Sequence, residues 1–335
     1  MGLSDASLPA RRWRTIADSL SRGRVGVFFK IAVSTILIVV VCRQINPDQI
    51  AQKISGQSLQ WLLVALLVTG VQTFALALRW DVVLKGLGAP IAWRTVLSAT
   101  YIGTFFNCWL AGTVGGDAAR AILLSFGEHR RASIIHSVVF DRAAALAGLA
   151  VVVIPLVVLN LGPMAHSAPL LISLAVVTVP FVGLSLVEPL ARWVPGRSGA
   201  IVGRLVDLAR AGRGLVNSGR SSGQLLTVSA LGQIILALIP YCLARAQHLD
   251  VSLIDFLLVM PPVVLLVALP ISAGGWGVRE SAMIAGLAPC GVAHDAAFLI
   301  SVEMALLAAL VSLPAGAMWL YRYVLRPLPR TAHAG

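Results

Sequence analysis

Two runs hold the residue types that could bind an anion, Leu110-Ala-Gly-Thr-Val-Gly-Gly-Asp-Ala-Ala-Arg120 and Leu269-Pro-Ile-Ser-Ala-Gly-Gly-Trp-Gly-Val-Arg279. Each has a Gly-Gly pair with an arginine four residues after the second glycine, and Gly-Gly occurs nowhere else in the chain. A helix that starts at such a pair leaves backbone N–H groups free at its N-terminus. Those groups and the helix dipole attract an anion, and glycine lets a phosphate approach closely. An arginine on the first turn adds a charged, bidentate donor. Gly115, Gly116, Arg120, Gly274, Gly275 and Arg279 are therefore the candidate phosphate-binding residues. The competing reading is that the glycines serve close helix packing.

Other charges fall deep in apolar surroundings. Asp117 and Arg120 stand at i, i+3 and can neutralise each other. Asp141-Arg142 and Glu303 lie about two turns inside apolar segments, where ionisable groups are costly and either line a cavity or pair off. With Asn107 and Glu280 they form a candidate polar pathway, or a set of structural pairs with arginine. Arg79 falls near the end of its segment and reads as an interfacial anchor. No HExxH, CxxC or Walker pattern occurs, so neither a metal nor a cofactor is expected and ATP is not the direct driver. No nucleophile or base stands beside an orienting partner, so the chain is not expected to be an enzyme.

The elements that position these residues belong to a membrane. Hydrophobic residues make up 58% of the 335-residue chain and charged residues 12%, whereas soluble domains are about a quarter charged. Apolar runs at Val25–Cys42, Trp61–Leu78, Ser133–Leu159, Pro169–Val187, Gln224–Ala244 and Ala296–Tyr321 are long enough to cross about 30 Å of hydrocarbon. Val25–Cys42 is too long for a signal-peptide core and lacks a small-residue cleavage site, so it reads as an uncleaved first helix. The net charge of +12 comes mostly from arginines that flank apolar segments. That is the pattern of loops facing anionic lipid, not of a nucleic-acid surface. Cys42, Cys108, Cys242 and Cys290 suit buried packing.

Arginine and lysine placement sets the orientation. The basic residues 1–24 form a cytoplasmic tail, residues 188–223 a basic cytoplasmic connector and residues 326–335 a second cytoplasmic tail. Arg79, Lys85 and Arg94 precede Thr95–Val114, and Arg120, Arg130 and Arg131 follow it, so this stretch enters and leaves on the cytoplasmic side. By the same reasoning Phe256–Leu287 enters and leaves on the outside, each glycine pair lying at the break of its hairpin. The expected fold is an all-α polytopic membrane protein. It has about six spanning helices and two oppositely oriented re-entrant helical hairpins in an inverted repeat.

Arg79-Trp80, Asn107, Gly112, Gly115-Gly116-Asp117, Arg120, Asp141-Arg142 and Pro270 with Gly274-Gly275-Trp276-Gly277-Val278-Arg279-Glu280 form a familiar set. On these residues, over about 25–325, the chain resembles the lysylphosphatidylglycerol synthase transmembrane-region family, a flippase-like domain. Ala111 stands where a proline is expected. The resemblance implies translocation of a phospholipid or a polyprenyl-phosphate-linked lipid in the bacterial cytoplasmic (inner) membrane. Both termini are expected in the cytoplasm, with enzymes of lipid biosynthesis as candidate partners. It also implies a stand-alone form, since the chain ends at Gly335 without the synthase domain of bifunctional relatives. The alternative is an intramembrane lipid-modifying enzyme, or an accessory subunit in a lipid or cell-envelope biosynthesis pathway.

Overall fold

The computed structural model describes residues 34–40, 43, 47–125, 131–163, 165–176, 212, 220–269, 271–272 and 274–325. Regular structure among the described residues is helical throughout. Residues 34–40 (α1) and Pro47–Ser55 (α2) precede a long helix, Leu59–Gly86 (α3). A hairpin follows, made of Trp93–Phe106 (α4), a π-helical turn at Asn107–Ala111, and Gly112–Ser125 (α5). Arg131–Val158 (α6) is the next long helix, with 168–176 (α7) beyond it. The order long helix, hairpin, long helix then recurs. Arg220–Ala246 (α8) leads to a hairpin of Leu253–Ala268 (α9) and Val278–Leu287 (α10), and His294–Trp319 (α11) completes the set.

Four segments are long and apolar enough to span: Leu59–Gly86, Ser133–Val158, Ser222–Ala246 and His294–Arg322. The shortest has 25 residues, about 37 Å at 1.5 Å per residue, against roughly 30 Å of hydrocarbon. They keep Leu67, Val71, Leu231, Leu306 and Leu310 on the outer surface, an arrangement that suits lipid as solvent. These are four of the six spans expected from the sequence. The other two, at 25–42 and 169–187, lie largely outside the described residues, as does the connector at 188–223.

The hairpin arms are different. The first hairpin has two arms of 14 residues, about 21 Å each, and the second has arms of 16 and 10, about 24 and 15 Å. None reaches across the hydrocarbon. The observed first hairpin extends to Ser125, beyond the expected Thr95–Val114. Arg120 consequently sits on its returning arm.

Topology follows from the contact between α3 and α8, which run antiparallel. The Ser58 N–H donates to the Ala246 carbonyl at 2.9 Å, joining the start of α3 to the end of α8. The first hairpin opens after the end of α3 and the second after the end of α8. The two hairpins therefore enter the helix layer from opposite faces. Each has its own apolar core: Trp80, Leu84, Val96, Ile102 and Leu124 around the first, and Phe256, Leu258, Met283, Leu287 and Ile300 around the second.

Candidate functional site

The first hairpin is wedged between α3 and α6 by charge. Asp141, on α6, is 1% exposed. Arg79 of α3 donates to it from Nε at 2.7 Å and from Nη2 at 3.3 Å. Arg120 of α5 donates to Asp141 Oδ2 through Nη2, also at 2.7 Å. Arg120 reaches Asp117 as well, at 3.0 Å, and Arg142 closes the chain onto Asp117 at 2.6 Å. The Arg120 guanidinium lies 4.5 Å from the centre of the Trp80 ring, a cation–π contact suited to a desolvated site. The Trp80 indole N–H donates to Ser137 at 2.9 Å. A charge buried among apolar side chains is tolerable only when paired and hydrogen-bonded, and these three arginines and two aspartates meet that condition together.

Glycine places this cluster. Asn107, in the π turn, accepts a hydrogen bond from the Gly116 N–H at 3.0 Å. A Cβ on Gly116 would collide with the Asn107 side chain and the Gly103 carbonyl, so α4 and α5 approach closely only because residue 116 is glycine. This corrects the sequence expectation for the first motif. The break is the π turn at Asn107–Ala111, and Gly115-Gly116 lies inside the returning helix. Arg79 is corrected too: it is buried two turns inside α3 as a partner of Asp141, not an interfacial anchor.

At the second motif the glycines do form the break. Gly274, Gly275 and Gly277 have φ of 63°, 81° and 84°, a left-handed backbone that other residues adopt only with strain. The Gly277 N–H then donates to Glu280 Oε2 at 2.5 Å, so the N-terminus of α10 already carries an anion from the protein itself. Glu280 Oε1 receives Arg279 Nη2 at 2.6 Å, and Arg279 Nε lies 3.2 Å from Ser301 Oγ. Arg279 also stands over Trp276, 5.1 Å from the ring centre. Arg279 and Glu280 are thus partners although adjacent in sequence.

The two hairpin tips both seat on α11. Arg279 meets Ser301, while Phe105 and Phe106, just before the π turn, pack against Gly316 and Trp319. A third polar site sits nearer the opposite face from Asp141. Glu303 accepts from Gln57 at 2.5 Å and from Gln247 at 3.4 Å, neutral amides instead of the arginine partner expected.

Residues 27–316 match the family described as lysylphosphatidylglycerol synthase TM region. The chain belongs to that family. The match takes in all four candidate spans except the end of α11, and both hairpins. Membership makes this a multi-pass membrane protein tied to the handling of membrane lipid. No curated protein matches the chain.

Of the expected site residues, the structure brings Asn107, Gly115, Gly116, Asp117, Arg120, Asp141 and Arg142 into one cluster. Gly274, Gly275, Arg279 and Glu280 form a second, and Glu303 stands apart from both. Arg79, Trp80, Ser137, Ser301, Gln57 and Gln247 complete these sites and carried little signal. An arginine seven residues inside a 28-residue apolar helix was the clue available for Arg79.

Proposed function

We propose that this family member is a lipid translocase of the cytoplasmic membrane, moving a phospholipid or a polyprenyl-phosphate-linked lipid between leaflets. The observation that carries the reading is the charge balance of the first hairpin. Three guanidinium groups, from Arg79, Arg120 and Arg142, face two carboxylates, from Asp117 and Asp141. One positive charge is left over, where the first hairpin packs between the spanning helices α3 and α6. A phosphodiester supplies the missing negative charge and suits the guanidinium fork.

In this reading Arg79 and Asp141 are the fixed pair, both buried. Arg142 and Asp117 form the exchangeable pair, since Arg142 is about half exposed and Asp117 partly so. A lipid phosphate takes the place of Asp117 on Arg142 while Arg120 stands behind it. Arg279, with Gly274 and Gly275, offers the corresponding site on the other hairpin, where Glu280 is the carboxylate to be displaced. The two hairpins are re-entrant elements of an inverted repeat. Lys85, Arg94 and Arg322 lie at the face where the first hairpin opens, which supports a cytoplasmic side there. Movement is either equilibrative or ion-coupled, with Glu303 as the candidate proton carrier. Lipid leaves the protein chemically unchanged.

The test is reconstitution into phosphatidylglycerol–phosphatidylcholine liposomes carrying a fluorescent phosphatidylglycerol, with leaflet exposure read by an impermeant quencher. The parent protein is expected to accelerate exchange, and Arg142→Ala to slow it about tenfold or more, the effect of losing a charge-assisted hydrogen bond. Folded parent protein that leaves the exchange rate at that of empty liposomes, with polyprenyl-phosphate probes behaving likewise, would refute the translocase. A new lipid species in the mass spectrum, produced only with protein, would favour the enzyme alternative.

A further inference from the structure

A crevice runs down the outer surface between α3, α4 and α11, well away from the paired arginines. Its apolar part, about 600 Å³ and open to the surroundings, is lined by side chains such as Leu67 and Phe74 of α3 and Leu310 of α11. Across Tyr101 and Pro314, which line both parts, it continues into a second space of about 570 Å³. Here the lining changes to Arg94, Thr95, Ser98 and Arg322. Each volume is within the ~300–1,000 Å³ of small-molecule clefts.

Charge distinguishes the polar end. Arg79, Arg120, Arg142, Arg245 and Arg279 each have a carboxylate partner. Among the described residues, neither Arg94 nor Arg322 has one. Arg94 is also the second residue of α4, so the positive end of that helix lies at the same place. Length fits as well. From Leu310 to Arg322 the helix axis rises about 18 Å, close to one leaflet's half of the roughly 30 Å hydrocarbon layer.

We propose that this crevice binds one anionic phospholipid of the leaflet on the arginine-rich face, a phosphate between Arg94 and Arg322 and an acyl chain along α3 and α11. A uniformly apolar crevice would accept any chain, and an exposed arginine pair alone would accept any anion. An apolar slot of leaflet length that ends at two guanidinium groups, neither paired with a described carboxylate, selects a molecule with both parts. Resting on the translocase reading, the crevice is where lipid waits before reaching Arg142.

Gly70 makes the test clean. It lines the slot, and a Cβ built on it meets nothing within 4 Å, so a larger side chain there fills the slot without disturbing packing. The experiment measures palmitoyl-oleoyl phosphatidylglycerol and phosphatidylcholine binding to the purified full chain by native mass spectrometry. Arg94→Ala/Arg322→Ala is expected to lose phosphatidylglycerol by tenfold or more and to keep phosphatidylcholine. Gly70→Phe is expected to lose both, and Gly70→Ala neither. Phosphatidylglycerol bound equally by all variants, each checked for parental thermal stability, overturns the proposal. The same proteins in liposomes separate it from the translocase reading. Binding that follows this pattern in a protein that moves no lipid upholds the crevice and refutes the translocase. Lost binding with undiminished movement removes the crevice from the transport route.

Discussion

Asp141→Asn tests whether the first hairpin is held by charge or only by packing. The carboxylate takes donors from both Arg79 and Arg120 and is almost completely buried. Asparagine keeps the shape but removes the negative charge, leaving three guanidinium groups against Asp117 alone. Removing one partner of a buried ion pair costs about 3–5 kcal/mol. At about 1.4 °C per kcal/mol for a chain of this length, the apparent melting temperature falls by roughly 4–7 °C. Adding Arg79→Met restores the original excess of one positive charge, because Arg120 and Arg142 then face Asp117. The double variant is therefore expected to lose about 1.5–3 kcal/mol less than the sum of the single losses, within the range of direct contacts. The assay is thermal unfolding of the purified proteins in one detergent, run as a complete cycle with Arg79→Met alone. Additive losses, with the double variant the least stable of the four, would show that Arg79 and Asp141 do not act as a pair.

Three further outcomes follow from the same geometry. Single cysteines at Ala92 and Glu128, in the connections flanking the first hairpin, are expected to react with an impermeant maleimide from the cytoplasm. Cysteines at Asp250 and Ala293, flanking the second, should react only from outside, and labelling of 92 and 128 from opposite sides contradicts the hairpin topology. Gly116→Ala forces a methyl against Asn107 and the Gly103 carbonyl and should cost about 1–3 kcal/mol as overpacking, while Gly70→Ala is neutral or slightly stabilising; equal melting temperatures would refute the close-approach argument. Glu303→Gln can still bond Gln57 and Gln247, so stability should stay near that of the parent while any proton-driven component of transport disappears. Unchanged pH-gradient dependence in Glu303→Gln would exclude Glu303 as a proton carrier.

The four described spans were readable because hydropathy is a bulk property of each segment and needs no knowledge of neighbours. The second hairpin was readable at its break, where Gly274, Gly275 and Gly277 mark positive φ. The first was not. Its turn is Asn107-Cys-Trp-Leu-Ala111, with neither glycine nor proline, and its glycine pair serves a helix contact instead. Motif similarity therefore concealed two different local structures. Pairing was the least accessible level: Arg79 and Asp141 are 62 residues apart, and Gln57 and Glu303 are 246 apart. Only the packing of α3 against α6, and of the α3 start beside α11, brings them together.

The separation between Arg79 and Asp141 has a consequence for biogenesis. At the roughly 5–20 residues per second of synthesis, the 62 intervening residues take about 3–12 s to emerge. Throughout that interval Arg79, and later Arg120, lack their principal counter-ion, so neither can settle into hydrocarbon. Helix α3 and the first hairpin must wait in the aqueous vestibule of the insertion machinery until α6 arrives. The first half is then released as one unit, with Arg79 and Arg120 already paired to Asp141. Glu303 draws on Gln57 only much later, when the second half has been made. A ribosome stalled soon after Leu124 should leave α3 still crosslinked to the insertion channel, whereas one stalled well beyond Val158 should not.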